Sequence, residues 1–259
     1  MSKDIESMFS LKGKTALVAG ASRGIGEEIA RVFSLAGAKL VVSSRRPEGV
    51  AEAAERIKSA TGGEVLAVAS SIASAEDRKK LVDETLKWAG SIDILVNNAG
   101  TNPAWGPLEN VEESAWDKIF EVNLKGPFIL SQLVFHAWMK DHGGCILNTA
   151  SVGGFSTSTG TNVYNVTKAA LVHLTRCMAS EWGKNNIRVN AIAPGLIKTR
   201  LSQALWDRPE SEQAAANWPV SRLGTVEDLA GISLLLVSEA GSFITGQTYI
   251  VDGGSSVVR

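Results

Sequence analysis

Apolar positions along this chain change period repeatedly. Lys14–Ala19 is a short, mostly apolar run that stops at Gly20, as a strand buried on both faces would. Ile25, Ile29, Val32, Phe33 and Ala36 then recur every three or four residues, so Gly24–Leu35 is predicted to be a helix with one apolar face. Ala38–Ser43 reads as a second strand. The alternation continues through a helix at Val50–Ser59, a strand at Glu64–Ala69, a helix at Ala75–Trp88 and a strand at Ile92–Val96. A long helical stretch covers Ser114–Met139, with a bend expected near Gly126-Pro127. Strand Gly144–Thr149, helix Val163–Trp182, strand Ile187–Ile192, helix Asp228–Leu236 and a short strand Thr248–Val251 complete the pattern.

Strands that alternate with helices pair in parallel through right-handed crossovers, with helices on both faces. The expected fold is therefore α/β: a single-domain, Rossmann-type doubly wound parallel sheet of about seven strands. No linker, repeat or low-complexity tract divides residues 1–259. In such a sheet the ligand site lies at the carboxyl ends of the strands.

Composition narrows the function classes. The chain has 44% hydrophobic and 20% charged residues, which suits a folded protein. Its 26 basic and 27 acidic side chains give a net charge of −1, so no broad field attracts nucleic acid or an acidic membrane. No apolar stretch has bilayer-spanning length. Met1–Ser10 carries Asp4 and Glu6 and has no secretory apolar core, and the last residues are not a peroxisomal tripeptide. The expected location is the cytoplasm. Cys145 and Cys177 show no metal-ligand spacing and read as small buried hydrophobes, so no metal is expected.

Two groups of residues carry chemistry. Gly20-Ala21-Ser22-Arg23-Gly24-Ile25-Gly26 joins the first strand to the first long helix. Gly20 permits a tight turn, Gly24 lets the backbone approach a pyrophosphate, and Gly26 lets helix pack on strand. The free N–H groups and the positive helix end attract the anion. The second strand then ends at Ser44-Arg45-Arg46, with Ser44 where an acid would hold a ribose 2′-hydroxyl. Arg45, Arg46 and Arg23 suit a 2′-phosphate, because guanidinium binds phosphate through a bidentate fork. NADP(H) is expected in preference to NAD(H).

The second group is Asn97-Asn98-Ala99-Gly100 after the fourth strand, Asn123 in the long helix, Ser151 after the fifth strand, and Tyr164 with Lys168 one turn apart. The i, i+4 spacing puts phenol and ammonium on one helix face. Hydride transfer to a carbonyl leaves an alkoxide that needs a proton. A phenol titrates near 10, and a nearby ammonium is expected to lower that value. The Ser151 hydroxyl can bond the substrate oxygen as charge develops.

Together these motifs resemble the classical short-chain dehydrogenase/reductase family, over Leu11–Gly254. The resemblance also rests on Pro194-Gly195. It implies Tyr164 as acid/base, Lys168 on the nicotinamide ribose, Ser151 on the carbonyl and Asn123 holding a water that links Lys168 to solvent. Asn98, Ala99 and Gly100 would line the adenosine ribose. Pro194, Gly195, Ile197 and Thr199 would meet the nicotinamide. Two departures concern the adenine end. Ala19 stands where the family usually has Thr, and Ser71 where it usually has Asp, which leaves adenine to the Ser71 hydroxyl and the Ile72 backbone.

The same resemblance implies a substrate lid at about 196–219. Trp105, Phe155 and Trp206 could line an apolar pocket for a hydrophobic ketone or aldehyde. Thr101-Asn102-Pro103 and Ser43–Arg46 look like the NADPH-dependent carbonyl (retinal) reductase branch. A 3-oxoacyl carrier-protein reductase shares the motifs, but Asp141 and Ser180 stand where it typically shows basic side chains. A non-catalytic NADP(H)-binding scaffold is the alternative of another class, although such proteins tend to lose Tyr, Lys or Ser of the set. The family usually forms homotetramers through helices corresponding to Ser114–Met139 and Val163–Trp182.

Overall fold

The computed structural model describes residues 4–157 and 160–258. Strands β1 (Thr15–Ala19), β2 (Lys39–Ser44), β3 (Val65–Ala69), β4 (Ile94–Asn97), β5 (Gly144–Thr149), β6 (Ile187–Pro194) and β7 (Thr248–Val251) form one parallel sheet. Their order is β3-β2-β1-β4-β5-β6-β7. β1 and β4 are buried along their whole length, which is why they read as unbroken apolar runs.

The helices are α1 (Ile5–Phe9), α2 (Gly24–Leu35), α3 (Pro47–Thr61), α4 (Ala75–Ala89), α5 (Glu113–Phe120), α6 (Gly126–Val134), α7 (Lys140–His142), α8 (Asn162–Trp182), α9 (Gln203–Trp206), α10 (Pro209–Ala215) and α11 (Ala230–Val237). Alternate residues of each strand feed opposite layers. Val18 and Leu40 pack with Ile29, Phe33 and Ile57 on one face; Leu17 and Leu95 pack with Leu81, Leu130 and Met178 on the other. The strand order reverses between β1 and β4. A crevice therefore opens beyond their carboxyl ends, where Gly20 and Asn97–Gly100 lie.

Sequence and structure part at the element ends and in the long helix. α3 begins at Pro47 rather than Val50, because proline suits a first helical turn, and it stops before Gly62 at φ 70°. β6 runs two residues past Ile192, since the edge strand β7 pairs Ala193 with Ile250 and Pro194 with Val251. Residues 113–142 form one rod interrupted by two π turns, Glu121–Lys125 and Phe135–Met139. Pro127 has no N–H to give the Asn123 carbonyl four residues earlier, and the rod passes this point by widening. α1, α9 and α10 carry too short a period to be predicted.

A buried polar ladder clamps sheet to helices. Asn97 Nδ2 donates to Ser131 Oγ and to Asn148 Oδ1, both at 2.9 Å, and Asn148 Nδ2 donates to Thr175 Oγ1 at 2.9 Å. Ser131 and Thr175 end the ladder on carbonyls of their own helices, Pro127 and Leu171. All four side chains are buried. Asn148→Ala is expected to lower the unfolding free energy by about 1–3 kcal/mol, the cost of leaving a buried hydrogen-bonding group unpaired. A urea titration with an unchanged midpoint and slope would show that the ladder contributes no stability.

Candidate active site

The turn after β1 is shaped by close approach. Gly20 has φ 86°, and a Cβ there would lie 2.6 Å from the Ala99 backbone. Gly26 faces the Gly20 carbonyl and the Asn98 amide so tightly that no side chain fits. Asn98 Nδ2 donates to Gly20 O at 2.8 Å, and Asn98 Oδ1 accepts from Thr149 Oγ1 at 3.1 Å. The ends of β1, β4 and β5 are thereby tied together. Of the three residues expected along the adenosine ribose, Asn98 turns its side chain to the protein.

Arg23 stands exposed at the entrance to α2. Gly24 has φ 65°, and the Thr199 methyl lies 3.6 Å from where its Cβ would be, which brings the segment after β6 beside the turn. Ile25 packs its side chain against the core. Ser22 O accepts from Arg56 Nη2 at 3.1 Å, and Arg56 Nε donates to Glu27 at 2.7 Å. Ser44 is half-buried, and Arg45 and Arg46 are exposed. Among the described residues no ion pair engages Arg23, Arg45 or Arg46. After β3, Ser71 N donates to Asp77 Oδ2 at 2.7 Å. The Ile72 carbonyl accepts from the buried Arg78 guanidinium at 2.5 Å.

Beyond β5, Ser151 Oγ accepts from Gly153 N at 3.1 Å, and the Ser151 hydroxyl lies near the Tyr164 phenol. Lys168, only 3% exposed, donates from Nζ to Thr149 O at 2.6 Å and lies 5.4 Å from the Tyr164 ring centroid. Burial pushes the lysine down from 10.5 to about 8. Burial also pushes Tyr164 up to about 12, against the pull of the Ser151 hydroxyl. The lysine was expected to lower the tyrosine. In the fold desolvation of the phenolate prevails, and the ammonium is bonded to Thr149.

Asn123 is fully buried in the first π turn. Its Oδ1 accepts from Thr101 N at 2.8 Å, and its Nδ2 donates to Thr101 O at 2.9 Å and to Thr167 Oγ1 at 3.3 Å. Gly100 lies between Asn123 and Lys168: a Cβ on it would be 3.8 Å from Asn123 Oδ1 and 3.9 Å from Lys168 Nζ. The structure thus brings Ser151, Tyr164, Lys168 and Asn123 to one place beside Gly100.

The segment after β6 is internally tied. Gly195 N donates to Val251 O at 2.9 Å after Pro194 closes the strand. Ile197 is buried, and its carbonyl accepts from Ser202 Oγ at 2.5 Å; Thr199 Oγ1 and Ser202 Oγ are 2.8 Å apart. Trp206 Nε1 donates to Thr199 O at 2.7 Å, so its polar edge is engaged within its own segment. Trp105 and Phe155 are 46% and 49% exposed. The Trp105 loop meets the loop after Phe155 through Gly106 N to Gly160 O at 3.3 Å. Among the described residues no ring contact joins Trp105, Phe155 and Trp206.

Sequence reasoning missed Thr149, Thr101, Thr167, Asp77 and Arg56. Most act through backbone atoms or at a distance, which side-chain motifs do not signal. Thr149 alone left a trace, since a buried ammonium two residues' reach from Ser151 requires an acceptor. Cys177 is not in the core. It lines a surface groove of about 1040 Å³ with Phe120, Leu124, Phe128 and Leu174, on α5, α6 and α8 and clear of the Ser151 set. Among the described residues no three metal-ligating side chains gather, and no helix is long and apolar enough to cross a membrane.

A family model described as enoyl-(acyl carrier protein) reductase matches residues 20–256. Dehydrogenase/reductase SDR family member 4 of Caenorhabditis elegans is 44% identical over 247 residues, covering 94% of this chain and 95% of that protein. A Burkholderia cenocepacia gluconate 5-dehydrogenase, solved with NADP and tartrate, superposes with a TM-score of 0.92 at 34% identity, over 98% of this chain and 99% of that one. A 7α-hydroxysteroid dehydrogenase, solved with NADH and 7-oxo glycochenodeoxycholic acid, gives a TM-score of 0.92 at 36% identity, over 98% of each chain. The chain belongs to the classical short-chain dehydrogenase/reductase family, oxidoreductases that transfer a hydride between a nicotinamide cofactor and a carbonyl or alcohol.

Proposed function

We propose that the chain is a cytoplasmic, NADP(H)-dependent carbonyl reductase for hydrophobic ketones or aldehydes, with Tyr164 as proton donor. The observation that carries this reading is the constellation at the end of β5 of half-buried Ser151 and Tyr164 with buried Lys168 and Thr149. The Tyr164 phenol is protonated at neutral pH, the form that can donate to an alkoxide. The Ser151 hydroxyl and the Tyr164 phenol lie near each other, and both are available to a carbonyl oxygen placed between them. As alkoxide character develops there, Tyr164 Oη delivers its proton and Lys168 stabilises the phenolate that remains.

The residues fit a nicotinamide dinucleotide. The Gly20–Gly24–Gly26 turn leaves room where side chains would stand, and the N-terminus of α2 follows it. Ser22, Arg23 and Ile25 would hold the pyrophosphate through backbone N–H groups. Ser44, Arg45 and Arg46 would hold a 2′-phosphate. Ser71, Ile72, Asn98, Ala99 and Gly100 would enclose adenosine, and Pro194, Gly195, Ile197 and Thr199 the nicotinamide. When bound there, the reduced nicotinamide supplies the hydride. Asn123 has its amide engaged on Thr101. A water held at this residue would therefore use its backbone carbonyl, which Pro127 cannot bond.

Residues 196–219 serve as the substrate lid, with Trp206 bracing it through Thr199 and Lys198 pairing with Glu212 at 3.2 Å. Exposed Trp105, Phe155, Leu201 and Leu205 support a hydrophobic substrate. The apolar groove on α5, α6 and α8 supports a homotetramer built on these helices.

Tyr164→Phe is expected to abolish carbonyl reduction while leaving NADPH binding measurable; near-normal turnover would refute the assignment. Arg45→Glu should raise KM for NADPH about tenfold or more with little effect on NADH, since one lost guanidinium–phosphate contact becomes a repulsion. Equal effects on both cofactors would remove the proposed 2′-phosphate contact. Protonation gives a third check. Lys168 titrates at about 8 in the fold and 10.5 ordinarily, so between these values the unfolded chain binds the proton and the fold does not. Stability supplied by this site therefore rises with pH across that window. The difference in unfolding free energy between wild type and Lys168→Met should move in favour of the wild type by about 3 kcal/mol over it. A flat difference would contradict a buried lysine.

A further inference from the structure

We infer that Arg78 is a positioning residue that joins the adenine end of the cofactor site to the turn carrying Asn123. The inference rests on the cofactor placement proposed above. Arg78 lies in the first turn of α4, on the face with Leu81, Val82 and Thr85, and its side chain is 4% exposed. A charge at such a position needs a reason.

Its contacts run in two directions. Nη1 donates to Ile72 O at 2.5 Å, in the loop one residue from Ser71. The same Nη1 lies 3.3 Å from Glu121 Oε1, two residues from Asn123. The other Glu121 oxygen pairs with Lys125 at 2.8 Å. Burial pulls Glu121 upward, but Lys125 and Arg78 together hold its carboxyl below the ordinary value. The two loops also touch directly. A Cβ on Gly126 would lie 2.8 Å from Ile72 Cγ1 and 2.9 Å from Ile72 O. Loop and π turn are therefore one packed joint, and Arg78 is the charged pin through it.

The pin is poorly suited to stability alone. Arg78 Nε is buried without an acceptor. Replacing both members of such a pair by apolar side chains is often neutral, so the pair by itself is weak evidence for stability. What the pair fixes is geometry: the Ile72 carbonyl and the Glu121 carboxylate must both face one guanidinium nitrogen. Ser71 and Asn123 are held at a set separation as a result, and a change at the adenine end is transmitted to the turn beside Lys168. Arg78 touches neither substrate nor the reacting atoms; it acts through Ile72 and Glu121.

The test compares Arg78→Met, Arg78→Lys and Glu121→Gln with wild type. NADPH and NADH binding are followed by fluorescence titration, alongside melting temperature, kcat and KM. Arg78→Met should keep its melting temperature within a few degrees, weaken binding of both cofactors about tenfold, and lower kcat as well. Arg78→Lys should recover part of both losses. Equal weakening of NADPH and NADH separates this role from that of Arg45. Wild-type affinities and kcat in folded Arg78→Met would overturn the inference, and so would a lowered melting temperature as its only change. Should Arg78→Met fail to fold, Glu121→Gln decides, since it leaves Arg78 in place. It should show the same losses in smaller degree, and unchanged binding and kcat would overturn the joint. If wild type reduces no carbonyl, the proposed function fails, while the binding titrations still test Arg78.

Discussion

The candidate site is built around one lysine held in a nearly dry place. Lys168 is 3% exposed, and the acceptor that the structure provides is the Thr149 carbonyl at 2.6 Å. A buried charge is tolerated only when bonded. Thr149 must therefore sit at the last position of β5, and α8 must press its Lys168 face on the sheet end. That same packing puts Tyr164 against Ser151. Burial shifts the lysine down and the tyrosine up, so both groups favour their neutral forms. The phenol is thereby kept in its protonated form, and this follows from the packing rather than from added polar groups.

Three asparagines secure the surroundings. Asn97 ties the sheet to α6 and α8 through Ser131 and Asn148. Asn98 ties the glycine turn to Thr149, the residue that holds Lys168. Asn123 closes on Thr101 next to Gly100. The glycine turn and the Tyr164 helix therefore share one frame, with these hydrogen bonds directed into the protein. Reaction geometry set this way costs little reorganisation when substrate arrives.

Much of this was legible in the sequence. The strands could be read because burial on both faces makes them continuously apolar, and Tyr164 with Lys168 because four residues make one turn. Ser151 and the glycine turn could be read from their places after strands. The π turn at Glu121–Lys125 could not: five residues are too few for its wider period to stand out, although Pro127 marked the place. The tyrosine's shift went the other way from expectation, because sequence spacing reports the neighbouring charge and not the water removed. Asn98 and Trp206 look like ligand contacts in sequence, yet both engage the protein through backbone carbonyls that carry no residue signature. Arg78 carries no motif in the sequence and is buried.

The central claim is hydride transfer to a carbonyl carbon at Ser151 and Tyr164. Its most direct measurement uses NADPH deuterated at both C4 positions, a panel of hydrophobic ketones and aldehydes, ordinary water as solvent, and mass spectrometry of the products. The account predicts an alcohol with one deuterium on the carbinol carbon, and an oxygen-bound proton drawn from solvent through Tyr164. An alcohol without deuterium at that carbon, or no alcohol from any carbonyl, would contradict it.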